Sequence, residues 1–142
     1  MQLNPYLHFN GQCEEAFQLY QRCLGGEIEA MIKYAGTPGE AHVPSDWRDK
    51  IMHARLAAGD AVLMGSDARS DHYHAPQGFS VSIQIKDPAE AERIFNTLAE
   101  NGQVNMPLQQ TFWAARFGML KDQFGIPWMV NCEGDASERA QA

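Results

Sequence analysis

EAFQLY, residues 15–20, returns as EAERIF at residues 90–95. Each copy lies in a stretch whose apolar residues recur at helical spacing. Cys13, Ala16, Phe17, Tyr20 and Leu24 form one stripe, and Ala91, Ile94, Phe95 and Leu98 form the other. Gly25-Gly26 ends the first helix, because glycine enters left-handed backbone without a side-chain penalty. Asn101-Gly102 ends the second in the same way. The second helix also has a strong start at Asp87-Pro88-Ala89-Glu90: Asp caps free amides, Pro suits the first turn, and Glu fits a capping box.

Reading outward from the two helices, strands are expected at Leu3–Phe9 and Glu27–Tyr34, the latter with Ile28, Ala30 and Ile32 alternating. Residues 51–57 and 61–65 flank Gly59-Asp60, a hairpin-like turn. The second half repeats this order with strands at 79–85, 104–109, 112–120 and 126–132, and with Phe124-Gly125 turning between the last two. Ala54-Arg55-Leu56 resembles Ala115-Arg116-Phe117, and a long loop at 36–48 accounts for their smaller offset. A second polar loop covers 66–77. Coincidence between two common amphipathic helices would not supply matching stops, matching arginines and a matching element order together.

The order strand, helix, three strands, written twice, predicts an α+β fold of tandem βαβββ modules. We place them at residues 1–68 and 78–133 of a single domain spanning 1–142, with a polar tail at 134–142. One such module cannot bury both faces of its sheet. Helices are expected outside, and the sheets are expected to form a curved eight-strand surface around a small-molecule pocket.

Bulk composition limits the partners. Hydrophobic residues make up 44% and charged residues 20%, as in ordinary globular proteins. The net charge of −7 opposes general affinity for nucleic acid or an anionic membrane surface. No apolar run is long enough to span a bilayer. The opening MQLNPYLHF has no charged n-region, apolar h-region or cleavage site, so a cytoplasmic location is expected. Cys13, Cys23 and Cys132 are odd in number and widely spaced, which suggests neither a disulfide framework nor a zinc knuckle.

Several residues bear on chemistry. His53 and Arg55 are two apart on one strand, so they share a face. His53 can serve as a pocket acid, base or ligand, or as an ordinary hydrogen-bonded strand histidine. Arg55 and Arg116 can each hold a carboxylate or phosphonate through the planar guanidinium fork, or can pair with an acidic neighbour. Trp113 can wall an apolar pocket, whereas Trp128 reads as core. Trp113 and Arg116 are an odd number apart, so both line one cleft only if a bulge intervenes or one sits at the strand's start. Gln84 stands mid-strand, where a buried amide needs partners. Asp71, His72 and His74 read as a solvated loop with HxH spacing; His8 reads as structural or rim-exposed, and His42 carries little signal. No G-x-S-x-G elbow, activated cysteine motif, P-loop or dinucleotide fingerprint appears.

NPYLHFNGQCEEAFQLYQRCLGGEI, KIMHARLAAGDAVLMGSD, DPAEAERIFNTLAENG and MPLQQTFWAARFGMLKDQFGIPWMVNC together cover most of the chain. They resemble the PhnB-like branch of the vicinal oxygen chelate superfamily, which includes glyoxalase I, extradiol dioxygenases and fosfomycin-resistance proteins. The resemblance implies a homodimer, an arrangement that a half-open sheet edge also invites. It also implies metal-ligand positions on the first and last strand of each module, which align here with Pro5, Met64, Ser80 and Met129. Those residue types are poor ligands for divalent metals. Members of the branch often carry a demethylubiquinone methyltransferase label, yet no glycine-rich methyl-donor loop follows a strand here. The expectation is a small-molecule-binding protein, its ligand an anion if the arginines face the cleft, with no metal and no cofactor. The alternative is a metal-dependent lyase, isomerase or dioxygenase acting on a small oxygen-rich substrate. The polar binding set is His53, Arg55, Gln84 and Arg116, with Trp113 beside it.

Overall fold

In the computed structural model, which describes residues 1–69 and 71–134, the chain divides into two compact units, the first at Met1–His74 and the second beginning at Ala75. Each unit holds one helix and one open, mixed four-stranded sheet, an α+β arrangement. The polar tail expected at 134–142 lies, beyond Gly134, outside the described residues. Among the described residues no helix is long and apolar enough to cross a membrane.

In the first unit the elements run β1 (Tyr6–Phe9), α1 (Cys13–Leu24), β2 (Glu27–Lys33), β3 (Ile51–Ala58) and β4 (Ala61–Asp67). The strand order is β1-β4-β3-β2, with β1 parallel to β4 and the other pairs antiparallel. The loop between β2 and β3 is not featureless. It winds into two short 3-10 turns, Pro38–His42 and Ser45–Trp47, the first capped by the Thr37 side chain on the Gly39 amide. The helix buries Cys13, Ala16, Phe17, Tyr20 and Cys23 against the sheet. Phe17 sits over Gly65, where an added Cβ would stand 2.8 Å from its ring and from the Leu7 carbonyl.

The second unit repeats the plan with β5 (Val81–Ile85), α2 (Pro88–Leu98), β6 (Gln103–Gln109), β7 (Arg116–Lys121) and β8 (Pro127–Cys132), in the order β5-β8-β7-β6. Asp87 caps α2 by accepting from the Ala89 amide, and Pro88 opens it. Here the close approach to the helix is at Gly118 on β7, where an added Cβ would lie 2.7 Å from the Phe95 ring of α2.

Three strands begin two or more residues later than the sequence reading placed them. β1 begins at Tyr6 rather than Leu3, and Leu3 is exposed. β5 begins at Val81 rather than Phe79, which is half exposed. β7 begins at Arg116 rather than Phe112. Residues 111–114 instead close a turn, in which the Thr111 amide donates to the Ala114 carbonyl and the Ala114 amide donates to Thr111 Oγ1.

Candidate functional site

Alternation sorts the side chains of each sheet into a helix-covered face and an opposite face. In the first unit Leu7, Ala54, Leu56 and Gly65 take the α1 side. Tyr6, His8, His53, Arg55 and Met64 take the other. One cross-strand row on that face runs Tyr6, Met64, Arg55, Ala30. The next carries His8 beside Ser66, and His53 beside Ile32.

These residues interact. The Tyr6 ring stacks on the His53 ring at 5.9 Å between centroids and lies 5.3 Å from that of His8. Tyr6 Oη and His53 Nδ1 share a hydrogen bond of 3.2 Å. Arg55 donates from Nε to Glu29 Oε1 at 2.9 Å, and its Nη1 lies 3.7 Å from Met64 Sδ. Among the described residues its Nη2 has no hydrogen-bond acceptor, so one edge of the guanidinium is available. Tyr6 remains 40% exposed, which leaves this aromatic and basic patch accessible.

The structure therefore brings His53 and Arg55 together. Gln84, Trp113 and Arg116 all belong to the second unit. Gln84 is exposed rather than buried; its Oε1 accepts from Asn131 Nδ2 at 2.8 Å and its Nε2 donates to Ser82 Oγ at 2.9 Å. This amide chain lies on the face away from α2, since its neighbours Ile83 and Val130 alternate with it. Asn131 Oδ1 is buried and, among the described residues, lacks a hydrogen-bond partner. Trp113 stands in the turn before β7, edge-on to Phe117 at 5.3 Å and to Phe112 at 4.8 Å.

Within the second unit, Arg116 lies on the opposite face of the sheet from Gln84. It opens β7 paired with Cys132, and by alternation it shares the α2 side with Gly118. Its Nη1 donates to the carbonyl of Ala115 at 2.7 Å. The ladders also show that the similarity between residues 54–56 and 115–117 is not the structural equivalence. Arg55 pairs with Met64 and Met119 pairs with Met129, so Arg55 corresponds to Met119 when the two methionines are superposed.

The same register tests whether a metal fits. Met64 is beside Tyr6, not Pro5, and Met129 is beside Ser82, not Ser80. Taken unit by unit, a phenol or a proline beside a thioether in the first, and a serine hydroxyl beside a thioether in the second, are poor ligands for a divalent metal. Among the described residues no three of His, Cys, Asp or Glu gather at a metal-holding distance. The residues present do not fit the metal of the superfamily's metal enzymes.

Sequence reasoning missed Tyr6 and Asn131. Tyr6 could have been found, since it alternates with His8 in NPYLHF; its partnership with His53, 47 positions away, is visible only in the ladders. Asn131 was signalled by being the polar residue inside the apolar run WMVNC.

Two mixed βαβββ units of this kind define the glyoxalase-like, vicinal oxygen chelate fold. At the level of fold alone, the chain matches the fosfomycin resistance protein FosX of Listeria monocytogenes, with a TM-score of 0.65 at 10% identity over 98% of this chain and 97% of that one. Within that fold the chain belongs to the PhnB-like family, whose model is described as 3-demethylubiquinone-9 3-methyltransferase and matches residues 1–131. It is 37% identical over 139 residues to protein YjdN of Escherichia coli, covering 92% of this chain and 95% of that one. The crystal structure of protein PA1353 from Pseudomonas aeruginosa is similar at 53% identity with a TM-score of 0.87, covering 95% and 99% of the two chains. A Bacillus cereus protein titled a putative 3-demethylubiquinone-9 3-methyltransferase, PhnB protein, shares 24% identity with a TM-score of 0.78, covering 93% and 99%. The methyltransferase description belongs to the family's name; the sequence offers no glycine-rich strand-to-helix loop for a methyl donor.

Proposed function

We propose that this PhnB-like protein binds a small molecule on the face of the first sheet that turns away from α1. The observation that carries this reading is the grouping of Tyr6, His53 and Arg55 there, with two stacked rings beside a guanidinium edge that has no acceptor. A flat ligand would stack on the Tyr6–His53 pair, and an acidic group on it would meet Arg55 Nη2. Glu29 fixes Arg55 without enclosing it, because both partners of that ion pair are partly exposed. An exposed pair of this kind contributes little to stability, so it is free to serve orientation.

Gln84 and Trp113 are proposed separately, as binding residues of the second unit, one an amide edge and the other an apolar wall. Arg116 is left out of the anion role, since it stands on the helix side of its sheet. The protein is further proposed to be cytoplasmic and homodimeric, the latter resting on the family resemblance. The test is calorimetric titration with benzoate and salicylate as probes. Saturable binding that weakens at least about tenfold in Arg55→Met, and falls in Tyr6→Ala, supports the reading. Equal affinity in wild type and both variants refutes it.

A further inference from the structure

We propose that a pocket bounded by Tyr34, His42, Val43, Ala68, Arg69 and His72 is a second binding site, for a small organic anion with an apolar body. The pocket lies wholly within the first unit, among the end of β2, the first 3-10 turn and the segment that leaves β4. Its volume of about 530 Å³ falls in the range of small-molecule sites. None of its lining residues belongs to the Tyr6–His53–Arg55 face, so this inference stands independently of that reading.

The chemistry of the lining is one-sided. Arg69 supplies a guanidinium, and His42 and His72 supply two imidazoles. Arg69 is held in place: its Nη1 donates to the carbonyl of His42 at 3.2 Å, and its own carbonyl accepts the His72 amide at 2.8 Å. This turn fixes His72 relative to Arg69. The Tyr34 hydroxyl is committed to the carbonyl of Asp67 at 3.0 Å, so its ring serves as wall, together with Val43 and Ala68. Burial raises the pKa of that phenol, with the nearby Asp67 adding to the effect, which keeps it a neutral donor.

The feature that points to an anion is Asp71. Its Oδ2 lies 3.3 Å from Arg69 Nη2 and 3.8 Å from His72 Nε2, so a carboxylate from the protein's own loop already lies against two residues of the pocket lining. The Asp71 side chain is 65% exposed. An ion pair so open to solvent is weakly held. A ligand carboxylate or phosphate can therefore take its place, while the ligand's apolar body lies against Tyr34, Val43 and Ala68.

The test titrates the full chain with phenylphosphate, benzoate and inorganic phosphate, read by calorimetry and by the imidazole NMR signals. Saturation with phenylphosphate should move the His42 and His72 signals, and should still move them in Arg55→Met, in which the Tyr6–His53 face has lost its guanidinium. Arg69→Met should weaken binding at least about tenfold, and Asp71→Asn should tighten it severalfold by removing the competing carboxylate. Benzoate binding as tightly as phenylphosphate would identify the head as a carboxylate site, and weaker benzoate binding would identify it as a phosphate site; both support the proposal. Should Arg69→Met fail to fold, His72→Gln, at an exposed position, replaces it and should also weaken binding. Inorganic phosphate binding as tightly as phenylphosphate would overturn the apolar wall. Unmoved His42 and His72 signals, or an Asp71→Asn affinity no higher than wild type, would overturn the site.

Discussion

Asp67 ties together three parts of the first unit. It is 1% exposed, yet its carboxylate is fully used: Oδ1 accepts the Cys13 amide at the start of α1, and Oδ2 accepts the Ile51 amide at the start of β3. Its backbone carbonyl accepts the Tyr34 hydroxyl at the end of β2. Replacement by alanine strands two buried amide donors, each costing about 1–3 kcal/mol. Asp67→Ala should therefore lower the unfolding free energy by about 3 kcal/mol in urea denaturation; a loss within experimental error of zero would contradict this role. Burial raises the Asp67 pKa, and amide donation and Lys50 oppose the rise without cancelling it. The folded chain thus holds this proton more tightly than the unfolded chain. The group's contribution is full below the ordinary aspartate range and is lost as pH rises through the raised value. The stability of wild type relative to Asp67→Asn should fall with rising pH across that window, and a rise there would reverse the assignment.

At the scale of elements, the two helices were the most legible part of the sequence. Their apolar stripes, caps and stop glycines are local signals, and both helices form where those signals lie. Strand beginnings were less legible, because a strand starts where a partner starts. Leu3 has the residue type of a strand but no ladder partner, and Phe112-Trp113 has strand-like residues that a hydrogen-bonded turn claims instead. The candidate site was half visible for the same reason. His53 and Arg55 share a strand, so spacing alone put them on one face; Tyr6 joins them only through the parallel β1–β4 ladder. Arg116 was misaligned with Arg55, since a local match of three residues carries no register. Helix-to-sheet packing itself gives a sharp expectation. Gly65→Ala would press a Cβ into the Phe17 ring and a backbone carbonyl at 2.8 Å, and backbone cannot yield as a side-chain tip does. It should destabilise by about 1–3 kcal/mol, readable as a lowered melting temperature. An unchanged melting temperature would mean that the helix is not seated there as described.

For the whole molecule, the repeat sets the architecture, and the family membership agrees with it. Cys13, Cys23 and Cys132 are buried and form no disulfide. Desolvation raises the pKa of the Cys13 thiol, with Asp67 and Glu14 adding to the shift, so thiolate is scarce there. All three thiols should react with a disulfide reagent only as fast as the chain opens, and rapid labelling of the native protein would contradict their placement. Homodimerisation predicts twice the chain mass in light scattering across micromolar concentrations, whereas the mass of one chain at high concentration would remove that proposal. Chemical-shift mapping of the full chain with salicylate reads out whether the face bearing Tyr6, His53 and Arg55 binds a ligand. Saturable shifts should concentrate at Tyr6, His53 and Arg55 and vanish in Arg55→Met; saturation that leaves those three residues unmoved would rule the binding face out.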